Sequence, residues 1–267
     1  MRQPADKDLK RRLGLDGVHC AMTVHQPEEA LDFLRTLTRE FPRDPEVLYV
    51  AIHAYSDLST KFSQTLARDA PDSYEAHELN AEALEVRGEW DQAAKEYRWI
   101  LEKNPRAPGI HFRMGRLLLS KPNPGPTMAE DAKKEFKQEL EIDPSNAGAE
   151  YVLGELARQA QQWDDAIAHF SRAAKLDPGF ADASLGLGMS LLSVKKYAEA
   201  IPPLQNAAKL QPENPATHYN LAMAYSRAGQ KEQAAEEFAL HRKTAAAAQA
   251  ARDSQAPQPL PAAEAPQ

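Results

Sequence analysis

The sequence predicts an all-α fold, a solenoid of stacked antiparallel helix pairs. The main observation is a period of 34 residues, which separates Pro144 from Pro178 and Pro178 from Pro212. Alanines follow the same period at Ala166, Ala200 and Ala234. A fixed repeat of this length indicates stacked copies of one supersecondary unit rather than a single globular core.

Each copy is predicted to contain two amphipathic helices. Apolar residues lie three and four positions apart in the first helix, as at Leu187, Leu191 and Val194. A small residue recurs in the middle of this helix, at Ala81, Gly115, Gly154, Gly188 and Ala222. Glycine inside a helix costs about 0.5–1 kcal/mol relative to alanine, so we expect the partner helix to approach closely there. The aromatic or leucine four residues after the periodic alanine, such as Phe170, then fills the space between the helices.

The residues between the helices agree with this division. Gly88 and Gly229 lie between the two helices of their copies, where a left-handed C-cap is expected. The periodic prolines end the second helix of each copy, because proline does not continue a helix. Asn214 and Pro215 have the residue types of an N-cap and a first helical position.

The pattern weakens towards the N-terminus. Residues 1–24 show no clear period, and we expect an irregular segment there. Residues 27–41 are typical of a second helix, with a frayed segment or a degenerate partner helix before it. A short copy is predicted over 45–73, with one helix from Pro45 through Tyr55 and another that Pro71 ends.

Other departures from the period have local causes. Residues 121–126 contain an insertion that must form a loop, after which Thr127 and Glu130 are predicted to form a capping box. Pro202 and Pro203 predict a bend or a late start of their helix. Residues 244–251 are alanine-rich and are predicted to prolong the last helix, whereas residues 255–267 are rich in Pro, Ala and Gln and are expected to be disordered.

Taken together, these sites resemble the tetratricopeptide repeat, whose pattern is Trp-x2-Leu-Gly-x2-Tyr, then Ala-x3-Phe, then Pro. Five copies match over 74–243, and degenerate copies precede them over 25–73. The aromatic residue of the first site is replaced by His77, His111, Glu150, Ser184 and His218. The resemblance implies a right-handed superhelix whose first helices line a concave groove that binds an extended peptide or a partner helix.

Composition limits the function classes. The net charge of −7 and the pI of about 5.7 argue against nucleic-acid binding, which needs a basic face. No apolar run is long enough to predict insertion into a membrane. The charged N-terminus is unlike a signal peptide, so a cytoplasmic location is expected, or a periplasmic or secreted one if an export signal is missing from this chain. The single cysteine, Cys20, forms no intramolecular disulfide.

No motif predicts catalysis, a cofactor or a metal. The chain has no dinucleotide fingerprint, phosphate loop or nucleophile elbow. His77, His111 and His218 occupy the same site of successive copies, so we interpret them as packing residues rather than as ligands that converge on one ion. His19, Cys20 and His25 cluster without a second ligand pair. We therefore expect no enzyme activity.

The resemblance also implies which side chains line the groove. In order of the copies they are Glu78, Glu82 and Glu85; Phe112, Arg113 and Arg116; Tyr151, Glu155 and Arg158; Leu185, Met189 and Leu192; and Tyr219, Asn220, Met223 and Arg227. The first copy is acidic, and the fourth is apolar. Exposed apolar residues of the last two copies would need a partner, or a cover formed by the C-terminal helix or tail. Asn220 would hydrogen-bond a peptide backbone, as the equivalent asparagine does in the family.

Two function hypotheses follow. The first is a non-enzymatic adaptor or scaffold that binds an unidentified protein or peptide in this groove. The alternative is a structural or assembly subunit that associates with itself or joins an envelope complex. An enzyme that uses the N-terminal segment is a third, weaker hypothesis, because no concave pocket is implied there.

Overall fold

The computed structural model describes residues 4–24, 26–122, 125 and 127–255, and the described residues contain helices and turns but no strand. The helices are α1 (Pro4–Thr23), α2 (Pro27–Glu40), α3 (Pro45–Asp69), α4 (Tyr74–Val86), α5 (Trp90–Lys103), α6 (Ile110–Ser120), α7 (Met128–Ile142), α8 (Ala147–Gln159), α9 (Trp163–Leu176), α10 (Ala181–Ser193), α11 (Tyr197–Leu210), α12 (Pro215–Arg227) and α13 (Lys231–Gln255).

The helices from α4 onward form five pairs, which correspond to the five predicted copies. α6 packs on α7, α8 on α9, α10 on α11, and α12 on α13. Successive pairs are joined by contacts of α7 with α8, α9 with α10, and α11 with α12. The predicted all-α fold of stacked helix pairs is therefore confirmed.

The chain divides into two compact units, 1–100 and 101–267. The first unit has a core made by α1, α2 and the first half of α3, where Leu34 and Val47 are fully buried. The core clusters described for the second unit contain Phe136, Phe170 and Leu204, which are fully buried.

Residues 4–23 are helical, so the prediction of an irregular segment is wrong for the described part of this stretch. α1 buries Leu15 and Val18 in the core that it shares with α2, and it is the degenerate partner helix that the sequence left open. The glycines made this segment a poor helix candidate, but they have a packing role. A β-carbon at Gly14 would lie 2.7 Å from Cδ2 of Leu37, so glycine lets α2 approach α1 closely.

The short copy predicted over 45–73 is one continuous helix, so the predicted division into two helices is wrong. α3 runs for 25 residues, and its N-cap Asp44 accepts hydrogen bonds from the backbone amides of Glu46 and Val47. No glycine or proline interrupts the chain after Tyr55 before the helix ends, so nothing breaks the helix locally. The buried residues of α3 all belong to its first 14 positions and end at Leu58.

The small residues inside the first helices lie against large residues of the second helices, as predicted. A β-carbon at Gly115 would lie 2.8 Å from Cζ of Phe136, and one at Gly154 would lie 2.8 Å from Cδ1 of Phe170. Gly188 has the same relation to Leu204. Glycine is therefore required because the facing side chain occupies the space of a β-carbon.

The turns within the pairs use left-handed residues. Gly88 and Gly229 have φ of +73° and +83°, which confirms their predicted role. The equivalent residues of the third and fourth copies are Gln161 and Lys195, with φ of +57° and +62°. These two side chains occupy a conformation that glycine adopts without steric cost.

The remaining departures from the period are partly as predicted. Thr127 is the N-cap of α7 but makes no side-chain capping bond, so the predicted capping box is wrong. Pro202 and Pro203 lie inside α11, which shows no late start. α13 includes the alanine-rich stretch and ends at Gln255. Positions 123, 124 and 126 of the predicted loop, and the predicted disordered tail from 256 onward, lie outside the described residues.

Candidate protein-binding surface

The predicted groove residues of the first copy make α4 strongly acidic. Glu78, Glu82 and Glu85 are half-buried on this helix. The carboxylate of Glu85 accepts a hydrogen bond of 2.6 Å from the hydroxyl of Tyr97, which is fully buried on α5. This hydrogen bond joins the acidic helix α4 to α5, the second helix of its own pair.

The second copy presents one aromatic and two basic groove residues. Phe112 packs edge-to-face against Phe136, with ring centroids 5.6 Å apart. Arg113 is half-buried and Arg116 is exposed. The carboxylate of Glu139 holds the start of this helix, because it accepts hydrogen bonds from the amides of Gly109 and Phe112.

In the third copy the predicted charges neutralise each other. Arg158 and Glu155 form an ion pair of 2.7 Å, and the hydrogen bond that Arg158 donates to the carboxylate of Glu155 raises the pKa of Arg158 above its ordinary value. Tyr151 packs against Phe180, with ring centroids 4.8 Å apart. Burial is the main cause that raises the pKa of the Tyr151 hydroxyl. This copy therefore offers an aromatic surface with little net charge.

The apolar residues of the last two copies are less exposed than predicted. Leu185 and Leu192 are half-buried and pack against the core cluster at α10, α11 and α12. Met189 and Met223 are also half-buried, and Tyr219 is 45% exposed. The prediction of an exposed apolar patch therefore fits Tyr219 but not the other four residues, because Leu185 and Leu192 also pack against the core and both methionines are half-buried.

The polar residues of the fifth copy lie beside this apolar surface. The amide nitrogen of Asn220 donates a hydrogen bond of 2.8 Å to the carbonyl of Ala216. This bond fixes the orientation of the amide, whose oxygen is an acceptor. Arg227 is exposed at the end of α12. Tyr219 contacts His241 of α13, with ring centroids 5.4 Å apart, so α13 borders this end of the surface.

The comparison with known families is decisive. The tetratricopeptide repeat profile matches residues 80–147, 128–183 and 151–215, which together make up about half of the chain, and a second profile of the same description matches 191–256. The chain belongs to the tetratricopeptide repeat family. No curated protein matches the chain in sequence.

Solved structures of tetratricopeptide repeat proteins show the same fold. A MamA structure is 20% identical to this chain and covers 64% of it and 96% of its own length, with a TM-score of 0.57. MamA from Desulfovibrio magneticus RS-1 has 20% identity, coverage of 69% and 97%, and a TM-score of 0.56. YrrB, described as a tetratricopeptide repeat protein with an unusual peptide-binding site, has 20% identity, coverage of 68% and 91%, and a TM-score of 0.57.

The first site of the tetratricopeptide repeat is polar in this chain, and it forms the same contact in three copies. His77, His111 and His218 each bond through Nδ1 to a glutamate of the second helix, namely Glu96, Glu135 and Glu237. The last two contacts measure 2.6 and 2.7 Å. A hydrogen bond between histidine and glutamate therefore stands where the repeat pattern has an aromatic residue at this site.

The third and fourth copies keep this polar contact with other residues. In the third copy the types are exchanged, because Glu150 lies on the first helix and accepts from Nδ1 of His169 at 2.6 Å and from Nε of Arg172 at 2.6 Å. In the fourth copy, the amide of Asn206 donates to the hydroxyl of Ser184 at 3.0 Å. The sequence contained a signal for these partners, since Glu96, Glu135, His169 and Glu237 each stand three residues after the periodic alanine.

The best-defined of these pairs joins α12 to α13. Nε2 of His218 donates to the carbonyl of Pro212 at 2.8 Å, so the contact of Nδ1 with Glu237 requires a second proton on the ring. Burial lowers the pKa of His218, but the hydrogen bonds to Glu237 and to the Pro212 carbonyl and the nearby charge of Glu213 outweigh it, so the pKa is raised. These groups act between the helices and not on a bound ligand.

The histidines and carboxylates do not converge on a point. Among the described residues no group of three or more His, Cys, Asp or Glu side chains could hold a metal ion. Cys20 is exposed, and His25 of the predicted N-terminal cluster lies outside the described residues. In the same part of the chain, no helix combines the length and the apolar character that crossing a membrane requires.

Proposed function

We propose that this protein is a non-enzymatic adaptor that binds a peptide or a helix of another protein on the first-helix face of its tetratricopeptide repeats. The observation that carries the proposal is the surface of the fourth and fifth copies, which combines two half-buried methionines with an exposed tyrosine. Methionine adapts its shape to different partners, and tyrosine adds an apolar ring with a polar tip. Membership of a family of repeat scaffolds supports the same function.

A further support is a side-chain acceptor beside the apolar residues, which can receive a hydrogen bond from the backbone of a peptide. Asn220 follows Tyr219 on α12, and its amide oxygen is the acceptor we assign to a backbone N–H of an extended peptide that contacts the ring. Leu185 and Leu192 supply the apolar floor, and their core contacts keep it rigid. A rigid floor reduces the entropy cost of binding.

The test is a pull-down from the source cells with the full chain and a variant that carries Met189→Lys, Tyr219→Lys and Met223→Lys. These positions avoid Leu185 and Leu192, whose replacement by charged residues would disturb the core. The matched control is Leu210→Lys, since Leu210 is 39% exposed on the second helix α11. We expect the triple variant to lose at least one partner that both the original chain and the control retain.

The outcome has clear alternatives. Identical partner sets for all three proteins, with unchanged circular dichroism, would contradict the groove assignment. A mass by light scattering that rises with concentration for the original chain but not for the triple variant would favour the assembly role instead. The cytoplasmic location stays a prediction, which fractionation of cells that express the tagged chain would test.

A further inference from the structure

One face of α4 is exposed although the equivalent face is buried in the later copies. Ala76 is half-buried, and Asn80 and Ala83 are exposed. The residues at the Ala76 site of the four later copies are all buried, namely Ile110, Ala149, Ala183 and Thr217. At the Asn80 site, Met114, Leu153 and Leu221 are buried and Leu187 is half-buried. The first helix of the first copy is therefore less covered than the first helices of the later copies.

The lower coverage has a cause in the sequence of α3. The large residue that follows each periodic alanine is Tyr97, Phe136, Phe170, Leu204 or Phe238, but the position 34 residues before Tyr97 is Ser63. In the third copy Phe170 reaches the next first helix, where a β-carbon at Gly186 would lie 2.7 Å from its ring. Leu79 is the equivalent of Gly186 on α4, and Leu79 and Ser63 both line the space between α3 and α4.

The consequence is an open groove of about 740 Å³ between the second half of α3 and α4, which we name the α3–α4 groove. Its walls include Leu66, Ala83, Leu79 and Val86. Leu79 is 42% exposed and Val86 is 90% exposed. Apolar side chains gathered in one concave surface indicate an interaction site rather than random surface variation.

The charge of the groove is asymmetric. α4 carries Glu75, Glu78, Glu82 and Glu85 and no lysine or arginine. Glu82 lies in the wall of the groove itself, as does Glu96, whose carboxylate contacts Nδ1 of His77 in the same wall. The second half of α3 contributes Lys61 and Arg68, and Arg68 is paired with Asp69 at 2.6 Å. A ligand therefore meets an apolar floor with an acidic wall along α4.

We propose that the α3–α4 groove binds an amphipathic helix of a partner protein, which inserts a large apolar side chain beside Ser63 and places basic residues against the glutamates of α4. The shape of the site favours a helix, because the equivalent place in later copies is occupied by helix-to-helix packing. The acidic wall selects a basic flank, since opposite charges across an interface favour the correct partner. This surface goes beyond the first-helix face of the fourth and fifth copies.

The test uses a defined probe. A fluorescein-labelled peptide of about 18 residues, long enough to populate a helix in water, is built from leucine, alanine and lysine with one phenylalanine in its apolar face. Its counterpart has glutamate in place of lysine. Fluorescence anisotropy with the full chain is expected to show saturable binding of the lysine peptide, at least about tenfold tighter than binding of the glutamate peptide, and weaker binding at higher salt.

Two variants locate the site. Ser63→Phe restores the missing large side chain from within, so we expect it to weaken binding at least about tenfold while it raises the melting temperature. Its control is Ser59→Phe, since Ser59 is exposed and outside the groove. Leu79→Lys is expected to weaken binding similarly, and Leu48→Lys, at a position that is 43% exposed elsewhere on α3, is the matched control.

A third variant tests the charge. Glu82→Lys is expected to reduce the preference for the lysine peptide, and an unchanged preference would contradict the charge argument. Equal binding of both peptides by the original chain, or binding that survives both Ser63→Phe and Leu79→Lys, would overturn the proposal. So would a concentration-dependent dimer that Leu79→Lys abolishes, because a second copy would then fill the groove.

The result is separable from the proposed function. The Met189, Tyr219 and Met223 triple variant is expected to bind the lysine peptide as the original chain does, since its changes lie on α10 and α12. Loss of peptide binding by that triple variant would instead place the peptide on the first-helix face of the last two copies and contradict the α3–α4 groove.

Discussion

The contact of Phe170 with two glycines makes a quantitative prediction. The ring lies between α8 and α10, and β-carbons at Gly154 and Gly186 would lie 2.8 and 2.7 Å from its atoms. Gly186→Ala gains about 0.5–1 kcal/mol from helix propensity but forces a rigid ring to move, which costs about 1–3 kcal/mol in a packed core. We expect a net loss of about 0.5–2 kcal/mol in the free energy of unfolding.

The same substitution is expected to change sign when the ring is removed. Phe170→Leu alone should cost about 1–1.5 kcal/mol, and it opens the space that a β-carbon at Gly186 needs. In the Phe170→Leu variant, Gly186→Ala should raise the free energy of unfolding by the difference in helix propensity, about 0.5–1 kcal/mol. The two changes are therefore coupled by about 1–3 kcal/mol, in the range known for residues in contact.

The assay is urea unfolding followed by far-ultraviolet circular dichroism. Free energies of unfolding are compared only between variants whose dependence on urea concentration has the same slope. Ala168→Gly on the exposed side of α9 is the control, because it measures the difference in helix propensity alone on the helix that carries Phe170. If Gly186→Ala stabilises the original chain as much as it stabilises the Phe170→Leu variant, the close contact has no energetic effect and the reasoning is refuted.

Three further predictions concern single contacts. Gln161→Gly and Lys195→Gly should each raise the free energy of unfolding by about 0.5–1 kcal/mol, since both residues have positive φ. Gly229→Ala should lower the free energy of unfolding for the same reason. Urea unfolding measures all three variants, and a loss of stability for the first two would contradict the strain argument. Glu139→Ala should cost about 2–4 kcal/mol because it leaves the half-buried amides of Gly109 and Phe112 without an acceptor, and Glu139→Gln should cost less. Equal losses would indicate that packing, not capping, matters. The folded pKa of His218 is raised, so the stability that this histidine contributes is complete below the ordinary pKa of 6.5 and is lost as the pH rises through the folded pKa. His218→Gln should therefore flatten the fall in melting temperature on the alkaline side of 6.5. The control His53→Gln, at an exposed position, should leave that fall unchanged.

Most of the repeated architecture was predictable because it depends on local spacing. The periodic prolines and alanines located the five helix pairs, and the small residues at Gly115 and Gly154 predicted where helices meet closely. The steric rule behind these predictions acts within one copy, between residues near in sequence. The turns at Gly88 and Gly229 could be predicted equally well, since the left-handed backbone conformation at the end of a helix favours glycine whatever packs around it.

The misses at the N-terminus have different reasons. Gly14 suggested an irregular segment, but the same glycine lets Leu37 of α2 approach α1. The predicted division of residues 45–73 into two helices was an extension of the repeat spacing of the later copies. The helix α3 instead continues past Tyr55 without interruption. At α1 a local signal was outweighed by packing between residues that are distant in sequence, whereas at α3 the predicted division had no local helix breaker behind it.

The candidate site divides in the same way. The acidic character of α4 and the apolar character of α10 follow from residue types at known helical positions, so the sequence by itself determined the chemistry of each first helix. Only the tertiary structure decided how much of that chemistry is accessible: it half-buries Leu185 and Leu192, joins His218 to Glu237, and leaves the groove beside Ser63 open. The physical reason is that exposure and pairing depend on the neighbouring helix, whereas helix position and residue type do not.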